Sequence, residues 1–409
     1  GLHKYQSQAT GIANLAGRIA AALAAGHRVW MQAGGDPALA ARYLQAAHEL
    51  YAMGQAQEGY QQGNSYGAPY RYSETTWADD MEWAAAELFR ETREPRYLTD
   101  AIRYAHLAAD TSWMPLETAG HYEYYPFVNV GHFALYPHAD AATQTRLAEY
   151  YRRGMDATLR RAETNAFRAG VPFIWCSNNL TVALITQILL YERMTGDLRY
   201  HSHLLAQRDW LFGCNPWGTT MFTGLPLQGE FPEDVHTSTW KLTRRAVAGG
   251  LVDGPVYARV YNSLLGLQLT AADEFAPFQT GHVVYHDDIG DYSTNEPTMD
   301  GTADAIWMLA HFGATPSQAR SVAAGGVPAP SPSWAVDAGG VRRGPPAERR
   351  LALVFTADEY VDGAEAILQT LDASAVDAAF FLTGNALAAP GMRDWTRRAV
   401  AAGHYVGPH

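Results

Sequence analysis

The sequence predicts a mainly α-helical protein whose helices pair into a ring, followed by a linker and a partial α/β segment. Three observations predict this fold class. Over residues 1–313, apolar side chains recur at helical spacing in one stretch after another. Residues 314–349 are rich in Pro, Gly, Ala and Ser and poor in large apolar side chains, which is typical of a linker. Over residues 350–409, apolar runs alternate with helical patterns, which predicts a parallel sheet.

Helix boundaries can be placed along the first region. Pro37 opens a helix that we expect to end near Gly54, and Asp36 before it is interpreted as the N-cap or a loop residue. Predicted helices cover residues 7–25, 37–54, 76–91, 95–107, 140–160, 178–195, 198–212, 256–272 and 298–312. Consecutive helices joined by loops form αα-hairpins. Closed into a ring, such an array gives a helical toroid with a cleft at one end.

Composition excludes some classes of function. With 409 residues the chain has room for two or three domains, and a net charge of -12 disfavours a nucleic-acid partner. No run of about 18 apolar residues predicts a membrane span, and the first residues lack the features of a signal peptide. Cys176 and Cys214 form neither a disulfide framework nor a zinc pattern. The 11 Trp and 23 Tyr residues suit sugar stacking and a dense core equally well.

An acidic stretch at residues 285–303 precedes the last helix of the first region. Its carboxylates are Asp287, Asp288, Asp291, Glu296 and Asp300. Crowded carboxylates repel one another, so we expect at least one of their pKa values to rise. A carboxyl group that stays protonated near neutral pH can serve as a general acid. A solvated acidic loop or a calcium loop would explain the same residues.

The spacing within this stretch resembles the C-terminal signature of glycoside hydrolase family 9, the inverting cellulase family. The matching positions are Tyr285, Asp287, Tyr292, Glu296, Thr298 and Ala303. Thr302 departs from the pattern, because the family has Asn there. The segments WADDMEWAAAELFRETREPRYL and DWLFGCNPWGTTMFTGLP resemble two further segments of the family. The resemblance implies an incomplete (α/α)6 barrel over residues 1–313, Glu296 as proton donor, Asp287 as a second catalytic candidate, no required cofactor, and a secreted or periplasmic location.

The catalytic base of the family does not have a clear counterpart. The family carries it in an Asp-Ala-Gly-Asp motif, which does not occur in this chain. The sequence QAGGD mimics the motif, but its Asp36 is interpreted as an N-cap. We therefore expect the segment that holds the base to lie before Gly1, and the chain by itself to be inactive.

The same resemblance implies residues that bind substrate. His236, in FPEDVHTSTW, falls where the family has His-x-Arg and binds sugar hydroxyl groups, although Ser238 replaces the arginine. Trp217 lies between Pro216 and Gly218, so we expect it at the rim of the cleft. Three more aromatic residues are candidates for sugar stacking: Trp175, Trp240 and Tyr292. Core packing would explain each of these side chains as well.

Two metal sites are considered. Asp79 and Asp80 could hold calcium, but the favourable position of carboxylates in the first turn of a helix is the preferred explanation. The segments FTADE, AILQTLDASAVDAAFFLTG and GHYVGPH resemble the start of a polysaccharide deacetylase domain of carbohydrate esterase family 4. That resemblance implies a divalent, zinc-like metal at Asp358 and His409. Thr356 stands where a catalytic Asp is expected.

Three functions remain open from the sequence. The first is inverting hydrolysis of a β-1,4-linked polysaccharide or oligosaccharide, with Glu296 as general acid. The second is exo-β-glucosaminidase activity on chitosan-type oligomers, which the deacetylase-like segment and the absence of arginine at position 238 favour. The third is carbohydrate binding without catalysis.

Overall fold

The computed structural model describes two compact units of the chain, Gly1–Phe312 and Gly313–His409. The described residues are 9–61, 76–109, 126–225, 229–313, 335–337, 340–343, 353–358 and 360–408. No described helix is both long enough and apolar enough to cross a membrane.

The first unit is built mainly from helices, as the sequence predicts. They are α1 (Ala13–Gln32), α2 (Pro37–Ala56), α3 (Ala78–Thr92), α4 (Pro95–Ala108), α5 (Val130–Leu135), α6 (Ala141–Ala162), α7 (Ser177–Thr195), α8 (His201–Leu211), α9 (Ser238–Thr243), α10 (Ala258–Tyr261) and α11 (Met299–Gly313). Helix α1 packs against α2 and α3, α3 packs against α4 and α5, and α7 packs against α6 and α8. Neighbours in sequence are thus neighbours in space, which is the αα-hairpin arrangement.

Two hydrophobic clusters stabilise this unit. The first joins α1 to α4 through buried alanines and the rings of Tyr51, Tyr97 and Tyr104. The second surrounds α7, whose residues 177–191 are all buried, and it includes Trp217 and Tyr285 from the loops that follow. The loops that carry the acidic stretch are therefore fixed on a rigid helical base.

Two short antiparallel strand pairs lie between the helices of this unit. Strand β1 (Leu251–Val252) pairs with β4 (Pro297–Thr298), and β2 (Val256–Tyr257) pairs with β3 (Val283–Val284). Just before β4, the carbonyl oxygen of Glu296 accepts a 2.9 Å hydrogen bond from the amide of Asp253. The β1–β4 pair therefore fixes the backbone of Glu296.

Two helix predictions were wrong in their extent. Residues 256–272 were expected to be one helix, but only α10 is helical within them. Residues 256–257 pair with β3 instead, and Gly266 adopts a left-handed φ of 81°, which ends a right-handed helix. Helix α1, in contrast, continues past Gly26, where a Cβ atom would lie 3.7 Å from the ring of Tyr43. That glycine faces a helix contact and does not end the helix.

The interpretation of Asp36 as an N-cap is confirmed. Its carboxylate accepts a 2.9 Å hydrogen bond from the amide of Ala38, and Pro37 is the first residue of α2. The bond satisfies one of the amides that a helix start leaves without an intrahelical partner.

Loss of this cap gives a first testable prediction. We expect Asp36→Ala to lower the free energy of unfolding by about 1 kcal/mol, because the orphan amide loses its acceptor. Asp36→Asn keeps a side-chain oxygen at the same place and is the matched control. Urea denaturation of the two variants measures the difference, and equal midpoints would contradict the capping role.

The second unit has the predicted α/β character. Strands β7 (Val354–Ala357), β8 (Ala379–Leu382) and β9 (Tyr405–Pro408) form a parallel sheet in the order β7-β8-β9. The helices between them are α12 (Ala364–Ser374), α13 (Gly384–Ala388) and α14 (Met392–Ala401). One difference lies inside the predicted linker, where β5 (Ala335–Asp337) pairs with β6 (Gly340–Arg343) in an antiparallel hairpin.

Candidate functional site

The acidic stretch folds around two of its own carboxylates. Asp291 accepts hydrogen bonds from His286, Ser293 and Thr294. Burial by itself would raise the pKa of Asp291, but these hydrogen bonds outweigh burial and lower it. Asp288 in the same way accepts bonds from the amides of Thr270, Ala271 and Gly290. These two carboxylates therefore hold the loop in shape.

Asp287 is held in a similar way. Its carboxylate accepts bonds from the amides of Glu233 and Asp234 at 2.6 and 3.0 Å, and from the side chain of Asn295 at 2.8 Å. Burial raises the pKa of Asp287 to about 6, against the opposing effect of these donors. Asp287 thus ties the acidic stretch to the loop that carries His236.

Glu296 has a different environment. Its side chain is exposed and lines an open cavity of about 960 Å³. Desolvation by the surrounding atoms raises the pKa of Glu296, and the charge of protonated His236 opposes the rise. The pKa values of Glu296 and Asp287 rise as expected, but burial causes the rise, and not the expected repulsion among the carboxylates of the stretch. Of the five carboxylates in the stretch, Glu296 is the one that lines this cavity.

His236 lines the same cavity and is fixed from two sides. Its amide donates to the carbonyl of Asn295 at 2.9 Å, and its Nδ1 atom donates to the carbonyl of Ile289 at 2.5 Å. Because a carbonyl oxygen can only accept, Nδ1 must carry the proton. The other ring nitrogen, Nε2, takes no part in this bond and can interact with a ligand.

Helix α9 and its C-cap bring one predicted aromatic residue, Trp240, and two cationic residues that were not predicted to the cavity that Glu296 lines. Trp240 is buried and contributes to the cavity wall, together with Lys241 and Arg244. Asp234 also lines the wall, and its pKa is raised by burial and by the charge of Asp288. Lys241, Arg244 and Asp234 match no motif, so only the fold brings them beside Glu296.

A buried acid, Asp253, is linked to Glu296 through a backbone hydrogen bond. Asp253 is 1% exposed, and burial raises its pKa well above the usual range, with Cys176 as an opposing hydrogen-bond donor. The charge of Glu296 contributes to the same rise. Burial therefore opposes a negative charge on Asp253, whose amide is bonded to the carbonyl of Glu296.

A second, smaller cavity of about 280 Å³ is strongly acidic. Seven carboxylates line it: Glu230, Glu233, Asp234, Asp273, Glu274, Asp287 and Asp288. Asp234 lines both cavities. Asp287 lines the acidic cavity and not the cavity of about 960 Å³, so these two cavities do not bring the two catalytic candidates together.

Trp217 is not exposed at the rim of the cavity that Glu296 lines, but lines a separate cavity of about 600 Å³ together with Phe173 and Trp210. The side chain is 5% exposed and packs against Trp210 and Tyr285, with ring centroids 6.4 and 5.5 Å away. Its indole nitrogen donates to Gln279 at 3.3 Å. The turn formers around Trp217 shape the backbone, but the ring itself fills the core around α7.

Of the two remaining aromatic candidates, Tyr292 lies close to His236 and Trp175 lies close to Tyr292, and neither lines the cavity that contains Glu296. Tyr292 is half-buried, with its ring centroid 6.1 Å from His236 and 6.5 Å from Trp175. Its hydroxyl group donates to the carbonyl of Leu265 at 2.9 Å. Thr302, at the position where the signature has Asn, accepts a hydrogen bond from the amide of Leu251. Thr302 therefore strengthens the link between α11 and β1.

The calcium candidates have protein partners. Asp79 accepts a 2.6 Å bond from Thr76, and Asp80 forms an ion pair with Arg18, with an Nε to Oδ1 distance of 3.0 Å. Both lie in the first turn of α3, as the preferred explanation requires. Nowhere in the described ranges do three or more His, Cys, Asp or Glu side chains form a group that could hold a metal ion.

The second metal prediction receives no support either. Asp358 accepts hydrogen bonds from Thr383 and Asn385 at 2.6 and 3.0 Å. His409 lies outside the described residues. The parallel sheet fits the predicted α/β character, whereas the deacetylase assignment rests on sequence resemblance alone.

Comparison with known proteins identifies the family of the first unit. The model of "Glycosyl hydrolase family 9" matches residues 1–309 and ends before the second unit. Endoglucanase C of Cellulomonas fimi is 25% identical over 344 residues, an alignment that covers 74% of this chain and 30% of that protein. The chain thus spans less than a third of the length of this curated relative.

Solved structures share the fold. A metagenome-derived glycoside hydrolase family 9 endoglucanase superposes with a TM-score of 0.55 at 25% identity, covering 73% of this chain and 52% of that one. The structure of AaCel9A in complex with cellobiose-like isofagomine gives a TM-score of 0.57 at 24% identity, with coverage of 73% and 54%. The chain spans about half the length of both. From the extent of the family match and the helical fold, the chain belongs to glycoside hydrolase family 9.

Proposed function

We propose that the protein hydrolyses β-1,4-linked glucan by inversion, with Glu296 as the general acid. The observation that carries the proposal is the exposure of Glu296 in a cavity of about 960 Å³ combined with a raised pKa. A general acid must hold its proton at the working pH and reach the leaving oxygen. The endoglucanases among its relatives support the same reaction class.

The other residues of the cavity have supporting roles in this proposal. His236 presents its free ring nitrogen to sugar hydroxyl groups, and Trp240 adds an aromatic wall. Asp287 is a positioning residue, because its carboxylate fixes the loop that carries His236. The carboxylate base that inversion also requires is not assigned to any described residue.

The stereochemistry of the product tests the reaction class. We expect the full-length protein to release the α-anomer from cello-oligosaccharides, because a single displacement inverts the β-linkage. Proton nuclear magnetic resonance during the first minutes of hydrolysis reads the anomer directly. Initial release of the β-anomer would contradict inversion. If the full-length protein releases no sugar, the alternative of carbohydrate binding without catalysis is favoured.

The charge of His236 gives a pH prediction. The acid acts in its protonated form, so kcat/KM falls as pH rises through the pKa of Glu296. Because protonated His236 lowers that pKa, we expect His236→Gln to move the alkaline limb of the profile to higher pH. The measured quantity is the pH at which kcat/KM falls to half of its maximum, and not the maximum itself. A limb that stays in place or moves to lower pH would show that His236 does not act on Glu296 electrostatically.

The second candidate function is exo-β-glucosaminidase activity. The acidic cavity next to the site favours it, because clustered carboxylates attract the ammonium groups of chitosan oligomers. Comparison of kcat/KM on cello-oligosaccharides and on chitosan oligomers separates the two candidates. For either substrate, the proposal includes a secreted or periplasmic location, as is typical of enzymes that act on polymers outside the cell.

A further inference from the structure

We infer that Arg244, stacked on Trp240, binds the saccharide in place of the arginine expected at position 238. We infer further that the sugar unit in contact with it carries no positive charge. The inference rests on the proposed function, since it specifies the substrate of the same site. Serine at position 238 then does not mean that the cavity lacks a guanidinium group, because Arg244 supplies one from a different position in the sequence.

The backbone of α9 fixes where Arg244 lies. The helix has six residues, and the Thr237 side chain caps it by accepting a 3.0 Å bond from the amide of Trp240. At its other end, the amide of Arg244 donates to the carbonyl of Trp240 at 2.7 Å, with a left-handed φ of 56°. A left-handed conformation is unfavourable for a side chain as large as arginine. It turns the chain back at the helix end, so that Ser238 and Arg244 line one cavity.

The guanidinium group of Arg244 has a defined place on the cavity wall. Its central carbon lies 4.3 Å from the centroid of the Trp240 ring. Stacking on an aromatic face holds a guanidinium in a plane and leaves its N–H groups free at the edge. Among the described residues, no carboxylate lies within ion-pair distance of this group, and its side chain donates no hydrogen bond. Its five donors are therefore available to a ligand.

Charge decides which ligand fits. Lys241 and Arg244 line the cavity together with two carboxylates, those of Asp234 and Glu296. An ammonium group on the sugar unit that contacts Arg244 would face the guanidinium at short range, and the two positive charges repel each other. Hydroxyl oxygens, in contrast, accept hydrogen bonds from a guanidinium without a charge penalty. The geometry thus favours a neutral glucan unit at the position that Arg244 contacts, although arginine is absent from position 238.

Binding measurements on a non-hydrolysing background test the inference. In full-length protein that carries Glu296→Gln, calorimetric titration with cellohexaose gives the affinity without turnover. We expect Arg244→Gln to weaken cellohexaose binding about tenfold or more, since charge-assisted hydrogen bonds to the ligand are lost. Arg245→Gln is the matched control, because Arg245 is exposed and does not line the cavity. It should bind as tightly as the background protein.

A transfer of the arginine provides a second test. We expect Ser238→Arg in the Arg244→Gln background to restore much of the affinity, because both positions line one cavity. In otherwise native protein, Arg244→Gln should also lower the ratio of kcat/KM on cellohexaose to that on chitosan hexamer. Equal thermal midpoints for the Arg244 and Arg245 variants exclude a folding defect as the cause.

The outcomes that would overturn the inference are specific. Equal affinities of the Arg244→Gln and Arg245→Gln proteins would remove Arg244 from the binding site. An unchanged substrate ratio would remove it as a determinant of specificity. Failure of the proposed function has a different signature. Turnover that persists in Glu296→Gln contradicts the general acid, and the substrate ratios of the Arg244 and Arg245 variants in otherwise native protein then still test Arg244.

Discussion

Glu296→Gln is expected to lower kcat on unmodified cello-oligosaccharides by about 10²–10⁴-fold while oligosaccharide binding persists. The substitution keeps the size of the side chain but removes the proton that the leaving oxygen needs. Within the described part of the chain, the side chain of Glu296 makes no hydrogen bond that shapes the loop, whereas those of Asp287, Asp288 and Asp291 do. We therefore expect the folded structure and the binding site to survive the change.

A second Glu→Gln substitution serves as the control. Glu163 is exposed and follows the end of α6, outside the cavity that Glu296 lines. Glu163→Gln should keep the kcat of the native protein. Steady-state kinetics and calorimetric titration on both variants give kcat and binding separately. Loss of binding in Glu296→Gln with native kcat at saturating substrate would assign Glu296 to binding and not to catalysis.

Trp217→Ala is expected to lower the free energy of unfolding by about 3–5 kcal/mol. The indole ring is almost completely buried among Trp210, Tyr285 and the neighbouring core around α7. Its removal leaves a cavity that the fixed surroundings cannot fill. The expected effect is one of stability, because the ring does not line the cavity that contains Glu296.

An exposed apolar residue provides the comparison. Leu242, on α9, is 84% exposed, so Leu242→Ala should change stability by no more than about 0.5 kcal/mol. Chemical denaturation followed by tryptophan fluorescence and circular dichroism measures both variants. Native stability of Trp217→Ala together with weakened oligosaccharide binding would restore the cleft-rim interpretation.

The helical part of the fold could be predicted because its signals are local. Pro37 and Pro95 each begin a helix, and apolar spacing defines the buried sides of α3 and α6. The prediction failed at residues 256–272, where apolar spacing suits a helix but pairing of β2 with β3 takes the first residues. Long-range pairing of this kind leaves no trace in a short sequence window.

The candidate site was predictable in part. The spacing that ends in Glu296 singles out one carboxylate, and the structure separates it from the carboxylates that shape the loop. Trp217 was misplaced because a position between turn formers describes the backbone and not the burial of the ring. Arg244 and Asp234 could not be found from the sequence. Their place beside Glu296 depends on the short helix α9 and on the loop fixed by Asp287.

The dependence on the leaving group tests the role of Glu296 most directly. A dinitrophenyl leaving group departs without a proton, whereas a sugar hydroxyl group needs one. We predict that Glu296→Gln in the full-length protein retains hydrolysis of dinitrophenyl β-cellobioside within about tenfold of the native rate while it loses hydrolysis of cellohexaose. An equal loss of rate on both substrates would contradict the assignment of Glu296 as the general acid.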